Sequence, residues 1–381
     1  MVCYIYVESV SIMMSMEEDP MPMTELERFR ATVEHRRPDR LLFYMNFTAD
    51  LGRRVREHLG LEPEANLGAH FGTFGPRSAR IERPEDYAEP DWSVYFEDVA
   101  RPEGSRFDGK GCLHIPASEY HFTHRISPLR NASSLADIES YPWPDWQKWS
   151  TAHFAAMVEE AHAAGRVARV SLTHMYEEAW QVRGYQEFLM DMIAEPEWPH
   201  YILERFKQRN KLVAVAAARA GVDLLHTGDD VANQNALMFS IEHWREFIKS
   251  RWAEVYAAAR AENPDMQIWY HSDGNITEII PELIEIGVDI FNPLQPECVD
   301  VAGIKRRYGS RIVIDGTIGT QTTMPFGSPD DVRACVRERV ETLGADGALI
   351  LSPTHVLEPE VPIPNILAFA EACRECAQPV G

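Results

Sequence analysis

The chain has no long apolar run. No stretch approaches the roughly 18–20 consecutive apolar residues that cross a bilayer, so no membrane-spanning helix is expected. It is short of positive charge: 37 Lys and Arg stand against 59 Asp and Glu, a formal charge of −22. Nucleic acid and anionic membrane surfaces are thereby excluded as general partners, because both would repel it. Cysteine is sparse. Cys3, Cys112, Cys298, Cys335, Cys373 and Cys376 show no framework spacing, which predicts reduced thiols and a cytoplasmic protein. Cys373-x-x-Cys376 lacks a second pair to complete a zinc site and reads as two cysteines on one helix. Neither G-x-G-x-x-G nor a phosphate-loop G-x-x-x-x-G-K stands at a strand–helix junction, so a dinucleotide or P-loop fold loses ground. The segment Met1–Ile12 lacks a basic start and a small-residue cleavage site, so no signal peptide is expected. Residues 1–23 read as an N-terminal extension that precedes the fold and is expected to lack order.

What is present is an ordinary globular composition, 45% hydrophobic and 25% charged over 381 residues. Thr24-x-x-Glu27 has capping-box spacing and predicts a helix from Glu25 to about His35. Leu41–Met45 reads as a first buried strand, followed by a helix at Arg53–Leu59. Residues 60–145 are rich in Pro, Gly and aromatics and weakly periodic. They read as a long insertion, a lid or binding loop, with hairpin strands at Trp92–Phe96 and Tyr120–Thr123. From Ala152 onward helices alternate with strands at Arg166–Leu172, Gly221–Leu225, Gln267–Tyr270, Val288–Phe291, Arg311–Ile314 and Gly347–Leu351. Seven strands, with an eighth hidden in the insertion, predict a parallel sheet and a (β/α)8 TIM-type barrel as a single domain over 24–381.

The polar residues are positioned to match. Asn46, His174, Tyr176, Asp229, Asp230, His271, Asp273, Asn292, Gln295, Asp315 and His355 fall at or just beyond strand carboxyl ends, which a barrel gathers on one face. Asp and Asn there also serve as helix caps; three histidines at separate strand ends do not fit that role. His271-x-Asp273 suits a divalent metal, with His355 as third ligand and Glu297 or Cys298 as further donors; zinc, Fe(II) or Mn(II) would accept such a set. Asp229-Asp230 offers paired carboxylates for acid/base work, one with a raised pKa, with His174 beside them. The alternative is one pocket-facing Asp and one Asp bonded to a loop amide or an Arg. Asn46, Tyr176, Asn292, Gln295 and Asp315 are candidate substrate contacts.

Gly228-Asp229-Asp230, Asn233-Gln234-Asn235, Trp244-Arg245-Glu246-Phe247, His271-Ser272-Asp273-Gly274 and Asn292-Pro293-Leu294-Gln295-Pro296, with Gly316, Pro353 and Pro364-Asn365, resemble the uroporphyrinogen decarboxylase superfamily. The resemblance runs from about Thr24 to Cys376 and implies a (β/α)8 barrel. It also implies two candidate chemistries. Cofactor-free uroporphyrinogen decarboxylases carry an M-R-Q-A-G-R segment after the first strand; here Met45-Asn46-Phe47-Thr48-Ala49-Asp50 replaces both arginines. The corrinoid-dependent methyltransferases bind zinc through H-x-C-G and a late Cys. His271 matches that histidine, while Asp273 and His355 stand in the two cysteine positions, so each departure keeps a metal-competent side chain. The resemblance therefore implies a metal-assisted methyltransferase acting on a small methylated substrate with a separate corrinoid protein. A cofactor-free decarboxylase and a barrel that only binds a tetrapyrrole or corrinoid are the alternatives. A homodimer is left open.

Overall fold

The computed structural model describes residues 22–116 and 123–376. Eight parallel strands form one sheet: β1 Leu42–Phe43, β2 Arg77–Ala79, β3 Ala168–Ser171, β4 Leu224–Gly228, β5 Gln267–His271, β6 Ile290–Asn292, β7 Val313–Asp315 and β8 Leu349–Leu351. Their order is β1-β8-β7-β6-β5-β4-β3-β2. The edges β1 and β2 approach through the Phe74 N–H, which donates to Phe43 O at 2.8 Å. Helices lie between successive strands, giving the (β/α)8 TIM-type arrangement that the alternation predicts.

Strand side chains alternate between two apolar layers, as the two-residue period of a strand requires. Phe43, Val170, Leu225, Ile268, Tyr270, Phe291, Ile314 and Leu351 belong to the large core under the helices. Their neighbours Leu42, Leu224, Ile290, Val313 and Ile350 form a second cluster inside the barrel, with Tyr44 and Trp269 packed on it. The first helix, α1 (Glu25–Val33), adds Leu26 and Phe29 to that inner cluster. It is started by a complete Thr24/Glu27 capping box and closes the amino-terminal end of the barrel.

Several elements differ from their sequence readings. The strand expected at Gly221–Leu225 runs from Leu224 to Gly228, so His226 lies within it rather than beyond it. The eighth strand is β2, three residues inside the region read as an insertion, pairing with β3 at Arg77–Ala168. Trp92–Tyr95 is a 3-10 turn, because the Asp91 side chain accepts the Ser93 N–H and curls the chain. The other expected hairpin strand survives in part: Arg106–Phe107, Leu113–Pro116 and Thr123–Ile126 form an antiparallel sheet. Residues 120–122 and 1–21 lie outside the described residues, so neither that end of the hairpin nor most of the N-terminal extension is described. The helix after β5 runs from Ile280 to Glu285, since Gly274 (φ +85°) and the Asn275 side chain, which accepts the Thr277 N–H, form a turn first. Among the described residues no helix is long and apolar enough to cross a membrane.

Candidate functional site

Three strand ends meet at the carboxyl mouth of the barrel. From β4 comes Asp230, and from β5 come His271 and Asp273; one ligand atom from each lies within 4.8 Å of the others. His271 Nε2 stands 3.7 Å from Asp230 Oδ1. Its other ring nitrogen, Nδ1, is 2.7 Å from Asn292 Oδ1 on β6. Asn292 Nδ2 donates to the Tyr44 hydroxyl, and Tyr44 donates to Asp315 Oδ2, both at 3.0 Å. Because Asn292 turns its Nδ2 donor to Tyr44, its Oδ1 accepts from Nδ1–H of His271, which leaves Nε2 to present a lone pair toward Asp230. Asp273 Oδ1 is buried with no hydrogen-bond partner. Burial, with the Asp230 charge, pushes the Asp273 carboxyl above its usual range. A buried, unpartnered carboxylate oxygen beside an imidazole lone pair and a second carboxylate fits a divalent cation, which would relieve all three.

His174 follows β3 and stacks on His271 with ring centroids 5.8 Å apart. Its Nδ1 pairs with Glu177 Oε2. Burial opposes its charge, but the hydrogen bond and charge of Glu177, with Asp229 and Asp230, outweigh that and raise His174 to about 9. A cationic His174 offsets the crowd of carboxylates at the mouth. Glu177 also accepts the Asp230 N–H at 3.2 Å, tying the end of β4 to the helix Met175–Arg183. Gly228 gives this layer its room: a Cβ there would sit 2.4 Å from His271 O and 3.0 Å from His174 Nε2.

The Asp229-Asp230 pair divides its work. Asp229 is fully buried; it accepts the Tyr176 N–H at 2.7 Å and the Trp252 Nε1–H at 2.6 Å. Burial pushes it up to about 8. Both its oxygens are engaged inside the protein, so it positions the loop, while Asp230 faces the mouth. Tyr176 is likewise not brought to the mouth: its ring is in the core against Phe188 and Phe239. His355 stands 3.9 Å from Asp273 Oδ2 and is half exposed, on the flank of the cluster rather than within it. Gln295 supports the turn after β5 by accepting the Gly274 N–H at 2.7 Å. Glu297 accepts from Thr322 Oγ1, and Cys298 Sγ donates to Gln295 Oε1, so neither joins Asp230, His271 and Asp273. Glu177, Tyr44 and Trp252 escaped the sequence reading. Only Glu177 carried a signal, three residues after His174 at the start of a helix, where the two side chains meet.

Below the mouth lies a cavity of about 500 Å³ lined by Tyr44, Asn46, Arg169, His226, Trp269 and Asp315 among others. Asp315 is 1% exposed and also accepts from Ser352 Oγ at 3.0 Å; burial pushes it up to about 7 from 3.8. An acid raised on folding keeps a proton that the unfolded chain has already lost. Its stabilising contribution is full below the unfolded value near 3.8 and disappears as pH rises through about 7. Urea midpoints are therefore expected to fall between pH 5 and pH 8, and the fall to be smaller in Asp315→Asn, which mimics the protonated side chain. Equal slopes for the two proteins would count against this assignment.

Comparison with known proteins agrees with this architecture. A methyltransferase from Methanosarcina mazei superposes with a TM-score of 0.63 at 16% identity, covering 93% of this chain and 99% of that one. A B12-independent methionine synthase from Shewanella sp. W3-18-1 and the catalytic core of xylanase A are more distant. Their TM-scores are 0.40 and 0.37 at 14% and 12% identity, over 59% and 61% of this chain and 67% and 85% of theirs. No curated protein matches. The sequence profile of uroporphyrinogen decarboxylase (URO-D) matches residues 170–376, more than half of the chain and all of its strands from β4 to β8. The chain belongs to the uroporphyrinogen decarboxylase (URO-D) family.

Proposed function

We propose that this protein is a metal-assisted methyltransferase that works in the cytoplasm on a small methylated substrate, with the corrinoid carried by a separate protein that docks over the barrel mouth. The observation that carries the reading is the meeting of Asp230, His271 and Asp273 within 4.8 Å, with the His271 lone pair directed by Asn292 and an unpartnered Asp273 oxygen. Asp230, His271 and Asp273 would hold the ion, and His355 flanks them as a further donor. A bound zinc or other divalent ion supplies Lewis acidity, polarising a substrate oxygen, nitrogen or sulfur. The chain's own part is to fix and shield that atom. Asn292 holds the His271 ring, Gln295 holds the Gly274 turn, and His174, kept protonated by Glu177, balances negative charge and stands ready to supply a proton.

Porphyrinogen decarboxylation is a poorer fit. Asn46 and Asp50 stand where that reaction's arginines belong, and Asp50 is exposed and paired with Arg53. Asp229, whose carboxyl burial raises, is sealed away from any substrate. The support from the Methanosarcina mazei protein is its name and shared fold. Elemental analysis of purified protein, repeated after dialysis against chelator and reloading, tests the metal. Stoichiometric zinc or another divalent ion, and methyl-transfer activity that follows it, are the expected results. Full turnover of a carboxylated substrate after chelation would replace this reading with cofactor-free decarboxylation.

A further inference from the structure

Arg169 is the group that the site above leaves unexplained. It lies on β3 and points into the barrel, where it lines the cavity of about 500 Å³. Its Nε donates to Ser78 Oγ at 3.0 Å. Among the described residues no carboxylate comes within ion-pair distance of it, although Arg77, one position before Ser78, meets Glu160. A half-buried guanidinium without a counter-charge is costly unless something outside the chain neutralises it. The same cavity is lined by the donors Asn46 and Thr48 on the segment after β1. Arg56 is the other cation on the lining, and its Nε is committed to Ala65 O at 2.8 Å.

We infer that this cavity is the substrate pocket and that Arg169 anchors the carboxylate or similar anionic end of a small substrate, leaving the opposite, methyl-bearing end at Asp230, His271 and Asp273. The strand register gives the reach. Arg169 pairs with Leu224, and Gly228, four residues further along the same strand, pairs with His271. That is about 13 Å of strand rise, part of which the arginine side chain itself covers. Tyr44 and Asp315 on the cavity wall are hydrogen-bonded to each other, and Tyr44 to Asn292 beside His271, so the pocket abuts the mouth. A volume of about 500 Å³ falls within the ~300–1,000 Å³ of small-molecule sites. With two cations on its lining it suits one acidic group, and not a porphyrinogen with many. The role as substrate anchor rests on the methyltransferase reading; the capacity to bind an anion does not.

Calorimetric titration with 3-(methylthio)propanoate and its uncharged amide separates these. The wild-type protein is expected to bind the acid more tightly than the amide by roughly 10- to 100-fold, the range of a charge-assisted bond. Arg169→Gln keeps a donor for Ser78 and removes the charge, and should abolish the preference; Arg169→Lys should keep only part of it. His271→Ala should keep all of it, so loss of the metal reading leaves the pocket standing. Equal affinity of wild type for acid and amide, or an unchanged preference in Arg169→Gln, would overturn the proposal. The wild-type comparison decides even where a variant does not fold.

Discussion

His271→Ala is expected to release the divalent ion and with it the methyl-transfer activity, while the protein stays folded. The side chain is half-buried at the mouth, and its hydrogen bond is to Asn292, so its removal costs about 1 kcal/mol of stability. For the metal the loss is far larger, because His271 is the only imidazole among the three groups that come together. Asn292→Ala separates orientation from ligation. It leaves every proposed ligand in place but frees the His271 ring to change tautomer, and affinity should fall roughly 10- to 100-fold, the range found for such supporting partners. Competitive titration against a zinc-sensitive dye measures both. Undiminished affinity in Asn292→Ala would mean that the Asp315–Tyr44–Asn292 chain does not set the ring.

Asp229→Ala should produce the largest loss of stability. The aspartate is fully buried and accepts from the Tyr176 amide and the Trp252 indole. Truncation strands two buried donors at about 1–3 kcal/mol each, so roughly 2–6 kcal/mol is expected in urea unfolding. Asp229→Asn leaves an acceptor for one of those donors and should cost less. The contrast matters for mechanism. A catalytic acid would lose turnover in both variants at undiminished stability, whereas a positioning residue loses stability first, and activity in proportion to the displacement of His174 and Asp230.

The barrel was legible because its strands carry continuous apolar runs and its helices carry caps, as at Thr24 and Ser328. β2 was not, since Arg77-Ser78-Ala79 has no apolar pattern and owes its place to pairing with β3. The Gly221–Leu225 reading ended a strand too early because His226 and Thr227 look like loop residues. His226 points into the barrel and lines the cavity, while Thr227 points the other way and bonds Tyr256 on the helix Ser250–Glu262. At the candidate site, strand-end placement singles out His271 and Asp273, which do come together, but does not say which third group lies beside them. Asp230 and His355 both follow strands, and only the packing of β4 against β5 brings Asp230 within reach while His355 stays on the flank. Asp229 and Asp230 are adjacent in sequence, and the strand's two-sided geometry sends one inward to Trp252 and the other to the mouth. A lone arginine in a strand carries no motif, so Arg169 is marked only in three dimensions, by the lack of a carboxylate beside it among the described residues.

The most direct test follows methylcobalamin by its absorbance with a panel of small carboxylate-bearing thiols and amines, comparing metal-loaded, chelated and Asp273→Ala protein. Demethylation by the metal-loaded wild type alone is the predicted result. Equal demethylation by the chelated protein, or none with any acceptor alongside metal-independent loss of carbon dioxide from a small acid, would contradict it.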